Sequence, residues 1–289
     1  MDMRGTVAGG TCDVMVGDSR RLLANLPGNK FQCSITSPPY WGLRDYGVEG
    51  QIGAENSVDE YINSLISVFR EVKRVLKGDG TLWLNIGDSY TSGNRGWRDA
   101  DKKNAARGMG YRPPNPKGLK DKELIGIPWR LAFALQADGW YLRSDIVWYK
   151  PNCQPESVKD RPVRSHEYVF LLSKNEDYYY NFEALKELSS TPGKLRSRRS
   201  VWSINTESSK EAHFAMFPPS LVKLCMEGGS RRGSAVLDPF MGAGTVGVVA
   251  LQLGRACTGI ELKAEYVEIA CKRIAAVTPT LALWSEQSA

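Results

Sequence analysis

The sequence predicts an α/β domain built on a Rossmann-type parallel sheet whose strands are supplied in permuted order. Three observations carry this. First, Val236-Leu237-Asp238-Pro239-Phe240-Met241-Gly242-Ala243-Gly244-Thr245 runs from an apolar strand through a Gly-x-Gly turn into a helix, and a second strand over 256–260 ends in Glu261. That order presents a backbone cradle, a helix start and a terminal acid placed to accept both hydroxyls of a ribose. Second, only about fifty residues follow that first strand, enough for two βα units, so the remaining strands must come from the amino-terminal half. Third, residues 31–35 read as a short strand that Pro38 and Pro39 stop, leaving a rigid turn at a strand's carboxyl end, where open α/β sheets place their ligands. Closing the sheet puts Asp18 beside the strand ending in Glu261 and Ser37 on the other side of the glycine turn, so one crevice collects all of them.

Taken in order, residues 12–17 form a strand ending in Asp18, and 19–26 a helix with Leu22, Leu23 and Leu26 on one face, ended by Pro27 and Gly28. In the turn after 31–35 neither proline donates a hydrogen bond and each fixes its own φ. Ser37-Pro38-Pro39-Tyr40-Trp41 therefore offers carbonyl and hydroxyl acceptors beside two aromatic faces, a combination that suits an aromatic amine. Ser57-x-x-Glu60 is a capping box, and Val58, Tyr61, Ile62, Leu65, Phe69, Val72 and Leu76 recur at helical spacing behind it. Gly78 stands where a carboxyl cap is expected. Residues 81–86 form a strand ending in Gly87-Asp88; Pro128 starts a helix through Leu135 that Gly139 ends. Residues 140–149 and 167–172 read as strands, and 213–220 leads into a helix through Met226.

Two polar stretches interrupt this pattern within what reads as a single catalytic domain over 1–289. Residues 89–123 carry nine Lys or Arg against four acids, interleaved with Trp97, Tyr111 and several asparagines. Most charged loops are simply solvated; this one leaves a strand end at the expected crevice, which favours contact with nucleic acid. Residues 174–212, with Tyr178-Tyr179-Tyr180 and the basic run Lys194, Arg196, Arg198, Arg199, read as a solvated hairpin and linker forming a small target-recognition segment.

Composition narrows the classes. A 42% hydrophobic content supports a full core, and a net charge of +6 permits a polyanionic partner. Six cysteines without a C-x-x-C pair, and two histidines, give no metal site. The absence of a leader or membrane-length apolar run makes a reduced cytoplasm the expected location, with no membrane partner.

The pairing of Thr36-Ser37-Pro38-Pro39-Tyr40 with Asp238-Pro239-Phe240-x-Gly242-x-Gly244-Thr245 resembles the permuted (β-group) DNA amino-methyltransferases, and the likeness spans nearly the whole chain. That family uses S-adenosylmethionine to methylate cytosine N4 or adenine N6. The resemblance implies a Rossmann-like methyltransferase fold and a cofactor held by Asp18, Ser220, Asp238, Pro239, Phe240, Gly242, Gly244, Thr245 and Glu261. In it, Asp18 is similar to the acid near the adenine amine, Phe240 to an aromatic packed on the cofactor, and Ser220 to a residue at the methionine end. Catalysis falls to Ser37, Pro38, Pro39 and Tyr40. The implied partner is double-stranded DNA, with Arg95, Arg98, Lys102, Lys103, Arg107, Arg112, Arg196, Arg198 and Arg199 on the basic segments facing it; a cognate restriction endonuclease is a candidate second partner.

An exocyclic amine is a poor nucleophile because its lone pair is delocalised, so acceptors that take its protons help most as the transition state forms. The Ser37 side chain and the Pro38 carbonyl are those acceptors, Tyr40 stacks on the base, and the base must be flipped out of the duplex. The family tends to carry Ser before Pro-Pro-Tyr in N4-cytosine enzymes and Asp in most N6-adenine enzymes. Cytosine N4 is therefore the expected target, with adenine N6 as the alternative. Two other classes share parts of the pattern: a catalytically dead nucleic-acid-binding module, and a protein-amide or RNA methyltransferase, which usually shows Asn at the position of Ser37.

Overall fold

Strands β2 (Gly10–Val16), β11 (Ala256–Glu261), β10 (Ala235–Asp238), β3 (Phe31–Thr36) and β4 (Leu76–Ile86) lie side by side and parallel, in that order, in the computed structural model. The structure describes residues 2–7, 10–48, 50–91, 113–207 and 218–277. Beyond β4 the sheet continues with β6 (His166–Ser173), antiparallel to both its neighbours, then β5 (Tyr141–Tyr149) and the short β9 (Val201–Ser203), which runs parallel to β5. At the other edge β1 (Asp2–Val7) pairs antiparallel with β2. The expected placement holds: β2 adjoins β11, and β3 lies on the far side of β10.

Helices cover both faces. On one side α1 (Ser19–Ala24), α2 (Val58–Val75) and α3 (Ile127–Ala137) enclose Leu82, Leu84, Ile86, Phe170, Leu172, Leu237 and Ile260. On the other, α4 (Pro219–Gly229), α5 (Thr245–Gln252) and α6 (Ala264–Ala275) cover Trp83, Val169, Leu171, Val236 and Cys257. The alternation of Leu82, Trp83 and Leu84 between two cores fixes the register, because a one-residue slip would exchange every side chain between faces. Each such buried side chain contributes roughly 1.5–3 kcal/mol.

The direction of chain progression reverses between β10 and β3. From β10 the chain passes through α5 to β11; from β3 it passes through α2, on the opposite face, to β4. A crevice opens at the carboxyl ends of strands where such a reversal occurs.

Local details differ from the sequence reading in instructive ways. Ser57 caps α2 by accepting from the Glu60 amide at 3.2 Å, but the Glu60 carboxylate reaches back to the Asn56 amide at 3.1 Å rather than to Ser57. Gly78 is no carboxyl cap. The helix ends at Leu76 in an extended conformation and continues directly into β4, whose first residue pairs with Phe31. Strand pairing here does the work of a left-handed cap. Strand β9, too, lies within a stretch read as hairpin and linker; that hairpin is present as β7 (Glu187–Leu188) and β8 (Leu195–Arg196). Helix α3 begins at Gly126, which brings no side chain to cap it, so Asp88 accepts the amides of Gly126 and Ile127, both at 3.0 Å, from the end of β4. The ends of the 89–123 excursion are laced together, Thr91 N–H to Glu123 O at 2.9 Å and Ile125 N–H to Ser89 O at 3.0 Å.

Candidate active site

Three strand ends meet at the crevice. Asp238, closing β10, is 1% exposed, and its Oδ1 accepts from the Thr36 hydroxyl at 2.7 Å and the Phe240 amide at 3.0 Å. Burial pushes this carboxyl up to about 7; the two hydrogen bonds oppose the shift, and the charge of Glu261 adds to it. Gly242 and Gly244 both adopt the left-handed region, with φ of +52° and +82°. They serve different ends. A Cβ on Gly244 would stand 2.8 Å from that of Ala270, so its absence lets α5 pack on α6, whereas a Cβ on Gly242 would meet nothing within 4 Å. The Gly242 backbone therefore borders open space. Glu261, half-buried at the end of β11, accepts the amides of Gly242 and Lys263, each at 2.9 Å. Burial raises its carboxyl despite those bonds.

The other predicted cofactor contacts are placed less uniformly. The Pro239 carbonyl accepts from the Ser19 hydroxyl, and the Phe240 ring meets Phe69 edge-on at 6.5 Å. Thr245 is buried with its hydroxyl 3.4 Å from the Arg273 guanidinium of α6. Asp18 caps α1 through the Arg20 amide at 2.8 Å and holds the Arg20 guanidinium in a two-oxygen pair. Burial works to raise its carboxyl, but the hydrogen bonds and charge of Arg20 prevail and hold it below its ordinary range. Ser220 is exposed on the first turn of α4, and the hydrogen bonds joining Asp238, Phe240, Gly242 and Glu261 do not reach it. Sequence reading missed Tyr46 and Tyr266, whose rings meet edge to face at 6.4 Å and whose hydroxyls are both raised, chiefly by burial, with the Glu261 charge contributing.

The Pro-Pro turn sits on a polar network that the sequence reading also missed. Asn85 of β4, 2% exposed, directs its amide nitrogen to Ser37 Oγ at 3.3 Å, Tyr40 Oη at 3.1 Å and Glu167 Oε2 at 3.1 Å. Tyr40 donates its hydroxyl to the same Glu167 oxygen at 2.8 Å, and the Lys150 ammonium pairs with the other. Burial, followed by the charge of Glu167, raises the Tyr40 hydroxyl well above its ordinary value. Pro38 is buried, and the Pro39 carbonyl is taken by Tyr61 Oη at 2.8 Å. The signal was legible in principle: Asn85 is a lone amide in the run Leu82-Trp83-Leu84-Asn85-Ile86, and a buried amide in an apolar strand demands partners.

Of the basic residues expected to face DNA, Arg95, Arg98, Lys102, Lys103, Arg107 and Arg112 lie outside the described residues. Arg196, Arg198 and Arg199 converge on one acid, Glu187, at 3.0, 3.8 and 3.4 Å. Only Arg199 keeps a largely exposed side chain, at 71%, against 32% and 23% for the other two.

A family model described as DNA methylase matches residues 31–272, which takes in the Pro-Pro turn, the glycine turn and the network between them. The chain belongs to this N6/N4 DNA methylase family. Its curated relatives include the type II methyltransferase M.SmaI of Serratia marcescens, 61% identical over 91% of both chains. Another is M.Cfr9I of Citrobacter freundii, 59% identical over 89% of this chain and 86% of the relative. Solved structures with the same fold include the PvuII DNA methyltransferase (cytosine-N4-specific), with a TM-score of 0.68, 23% identity and coverage of 91% and 86% of the two chains. TTHA0409 of Thermus thermophilus, in complex with S-adenosyl-L-methionine, gives 0.64 at 24% identity over 92% and 94%. As a DNA methylase of this family the chain is a type II methyltransferase with S-adenosylmethionine as its cofactor. The permuted order now has its explanation: the methylase motifs lie at opposite ends of the chain and on adjacent strands of the sheet.

Proposed function

We propose that this methylase modifies the exocyclic N4 of cytosine in double-stranded DNA, acting on a base turned out of the helix. The observation that carries the reading is the uncharged group at the end of β3. Ser37, where a carboxylate would stand in most adenine enzymes, has its hydroxyl against the Asn85 amide. The PvuII enzyme, cytosine-N4-specific by name, shares the fold and supports the same target.

Bound S-adenosylmethionine supplies an electrophilic methyl group. The residues present fit it: the open backbone at Gly242 admits close approach, the half-buried Glu261 carboxylate suits a ribose diol, and Tyr46 and Tyr266 supply aromatic surface nearby. Asp238 and Asp18 act from the strand ends on either side of β11, Asp18 by fixing the start of α1 and Arg20. On the substrate side, Ser37 Oγ and the Pro38 carbonyl accept hydrogen bonds from the two amine N–H groups, which concentrates the nitrogen lone pair toward the methyl donor. Tyr40 offers its ring face to the base while its hydroxyl is anchored by Glu167. A duplex hides the amine in its stack, so the base must leave it. The basic residues of 89–123 and of the β7–β8 hairpin would then hold the phosphates.

The test is to express the chain in a methylation-free host, digest the DNA to nucleosides and identify the product by chromatography and mass. N4-methylcytosine, lost in Ser37→Ala, supports the reading. N6-methyladenine as the sole modified base overturns the target and leaves the family assignment intact.

A further inference from the structure

We propose that Glu167, with Lys150 as its counter-ion, is a positioning residue for methyl transfer, acting through Asn85 and Tyr40 to orient the Ser37 hydroxyl; this rests on the methyltransferase reading of the Pro-Pro turn. Glu167 lies outside both family motifs, on β6, which runs antiparallel to both its neighbours. Because β6 is antiparallel, its first residues stand where the parallel strands end, so Glu167 enters the crevice from a strand start.

The chemistry of the network explains why an acid is needed there. A carboxylate can only accept hydrogen bonds, so Glu167 forces the Asn85 amide to present its nitrogen, at 3.1 Å, and receives the Tyr40 hydroxyl proton on the same oxygen at 2.8 Å. The same Asn85 nitrogen then reaches Ser37 Oγ at 3.3 Å and occupies one of its two acceptor positions. The other is left to face a substrate amine. This orientation has a cost: Asn85 Oδ1 is buried without a partner among the described residues. Turning the amide over would set that oxygen against the Glu167 carboxylate, two acceptors face to face. The fold retains the arrangement that serves Ser37.

Lys150 completes the set. Its ammonium pairs with the remaining Glu167 oxygen and lies 4.2 Å from the Trp148 ring centroid, with Lys150 and Glu167 side chains only 16% and 18% exposed. A carboxylate so enclosed needs a counter-charge beside it, and Lys150 supplies it at one oxygen while the other serves Asn85 and Tyr40.

The experiment compares Glu167→Gln, an isosteric change whose amide nitrogen must oppose either the Lys150 ammonium or the Asn85 and Tyr40 donors, with Tyr40→Phe and the double variant, measuring kcat, the KM for DNA and cofactor affinity separately. Glu167→Gln is expected to lower kcat by roughly tenfold to a hundredfold with cofactor affinity within twofold of wild type, and the double variant to be no worse than the poorer single one. A kcat within twofold of wild type, losses that multiply in the double variant, or a loss of kcat that follows cofactor affinity overturns the proposal. If Glu167→Gln fails to fold, Lys150→Met in its place must show the same isolated fall in kcat, and an unchanged kcat there overturns the proposal equally. A wild-type chain that transfers no methyl group to DNA overturns the underlying reading; an active wild type with an unaffected Glu167→Gln overturns only this inference.

Discussion

The hydroxyl of Thr36 donates to Asp238 Oδ1 at 2.7 Å, joining the strand that enters the Pro-Pro turn to the strand that enters the glycine turn. Residues 202 positions apart in the chain thus meet at the point where the sheet changes direction. The acceptor is a buried carboxyl, and its environment gives it a pH signature.

Asp238 is raised to about 7 in the folded chain, against an unfolded carboxyl near 3.9. A raised folded value means that its stabilising contribution is complete below about 3.9 and is lost as pH climbs through about 7. Asp238→Asn keeps an oxygen to accept from Thr36 and Phe240 and removes the buried charge. Its melting temperature should gain on wild type as pH rises from 4 to 7 and hold that gain above, by at most a few kcal/mol in stability. A difference independent of pH would place the titration elsewhere.

Glu261→Ala tests the ribose contact. Losing two hydrogen bonds to the cofactor, each worth about 1–3 kcal/mol when a buried partner is left unpaired, should weaken S-adenosylmethionine binding at least about tenfold by calorimetry. The same change also frees the Gly242 amide, which Glu261 holds at 2.9 Å. Affinity unchanged within twofold removes Glu261 from the cofactor site.

Gly87→Ala probes the seat of Tyr40. A Cβ at that position would stand 2.7 Å from Tyr40 Cε2 and 3.3 Å from Glu167 Cδ, so the ring and the carboxylate must both shift. Methylation should slow by on the order of tenfold to a hundredfold with cofactor affinity unchanged. Wild-type turnover would mean that the Tyr40 ring is free to relocate without consequence.

More of the fold than of the site is legible in the sequence. The adjacency of β2 to β11 and of β3 to β10 came from counting strands around a glycine motif, and the order of the sheet agrees. The Asn85, Glu167 and Lys150 network did not, because the rule that sites gather at strand ends overlooks an antiparallel strand, which brings its beginning to the same edge. Gly78 misled for a related reason: a left-handed cap is a local preference, and pairing of Leu76 with Phe31 overrode it. The sequence places Arg196, Arg198 and Arg199 on a basic run expected to face DNA, and nothing in their spacing reveals that a hairpin partner, Glu187, sits between them.

That convergence changes what the arginines should contribute to DNA binding. Each phosphate neutralised adds about 0.9 to the slope of log affinity against log salt. Arg199, with a 71% exposed side chain and a 3.4 Å contact to Glu187, can turn to a phosphate at little cost, so Arg199→Ala should flatten the slope by close to that amount. Arg196, at 3.0 Å, must leave its carboxylate first, and Arg198 is further tied to the Leu185 carbonyl at 3.1 Å; their alanine variants should flatten the slope less. Glu187 is the discriminating position. Burial works to lift its carboxyl, yet the three arginines hold it below its ordinary range, so it stays an anion that competes with phosphate. Glu187→Gln removes the competitor, and DNA affinity at low salt should rise with a steeper slope, measured by fluorescence anisotropy across a salt series. Equal slope changes for all three arginines, or a weaker Glu187→Gln, would show that the cluster holds the hairpin together and that the DNA face lies elsewhere.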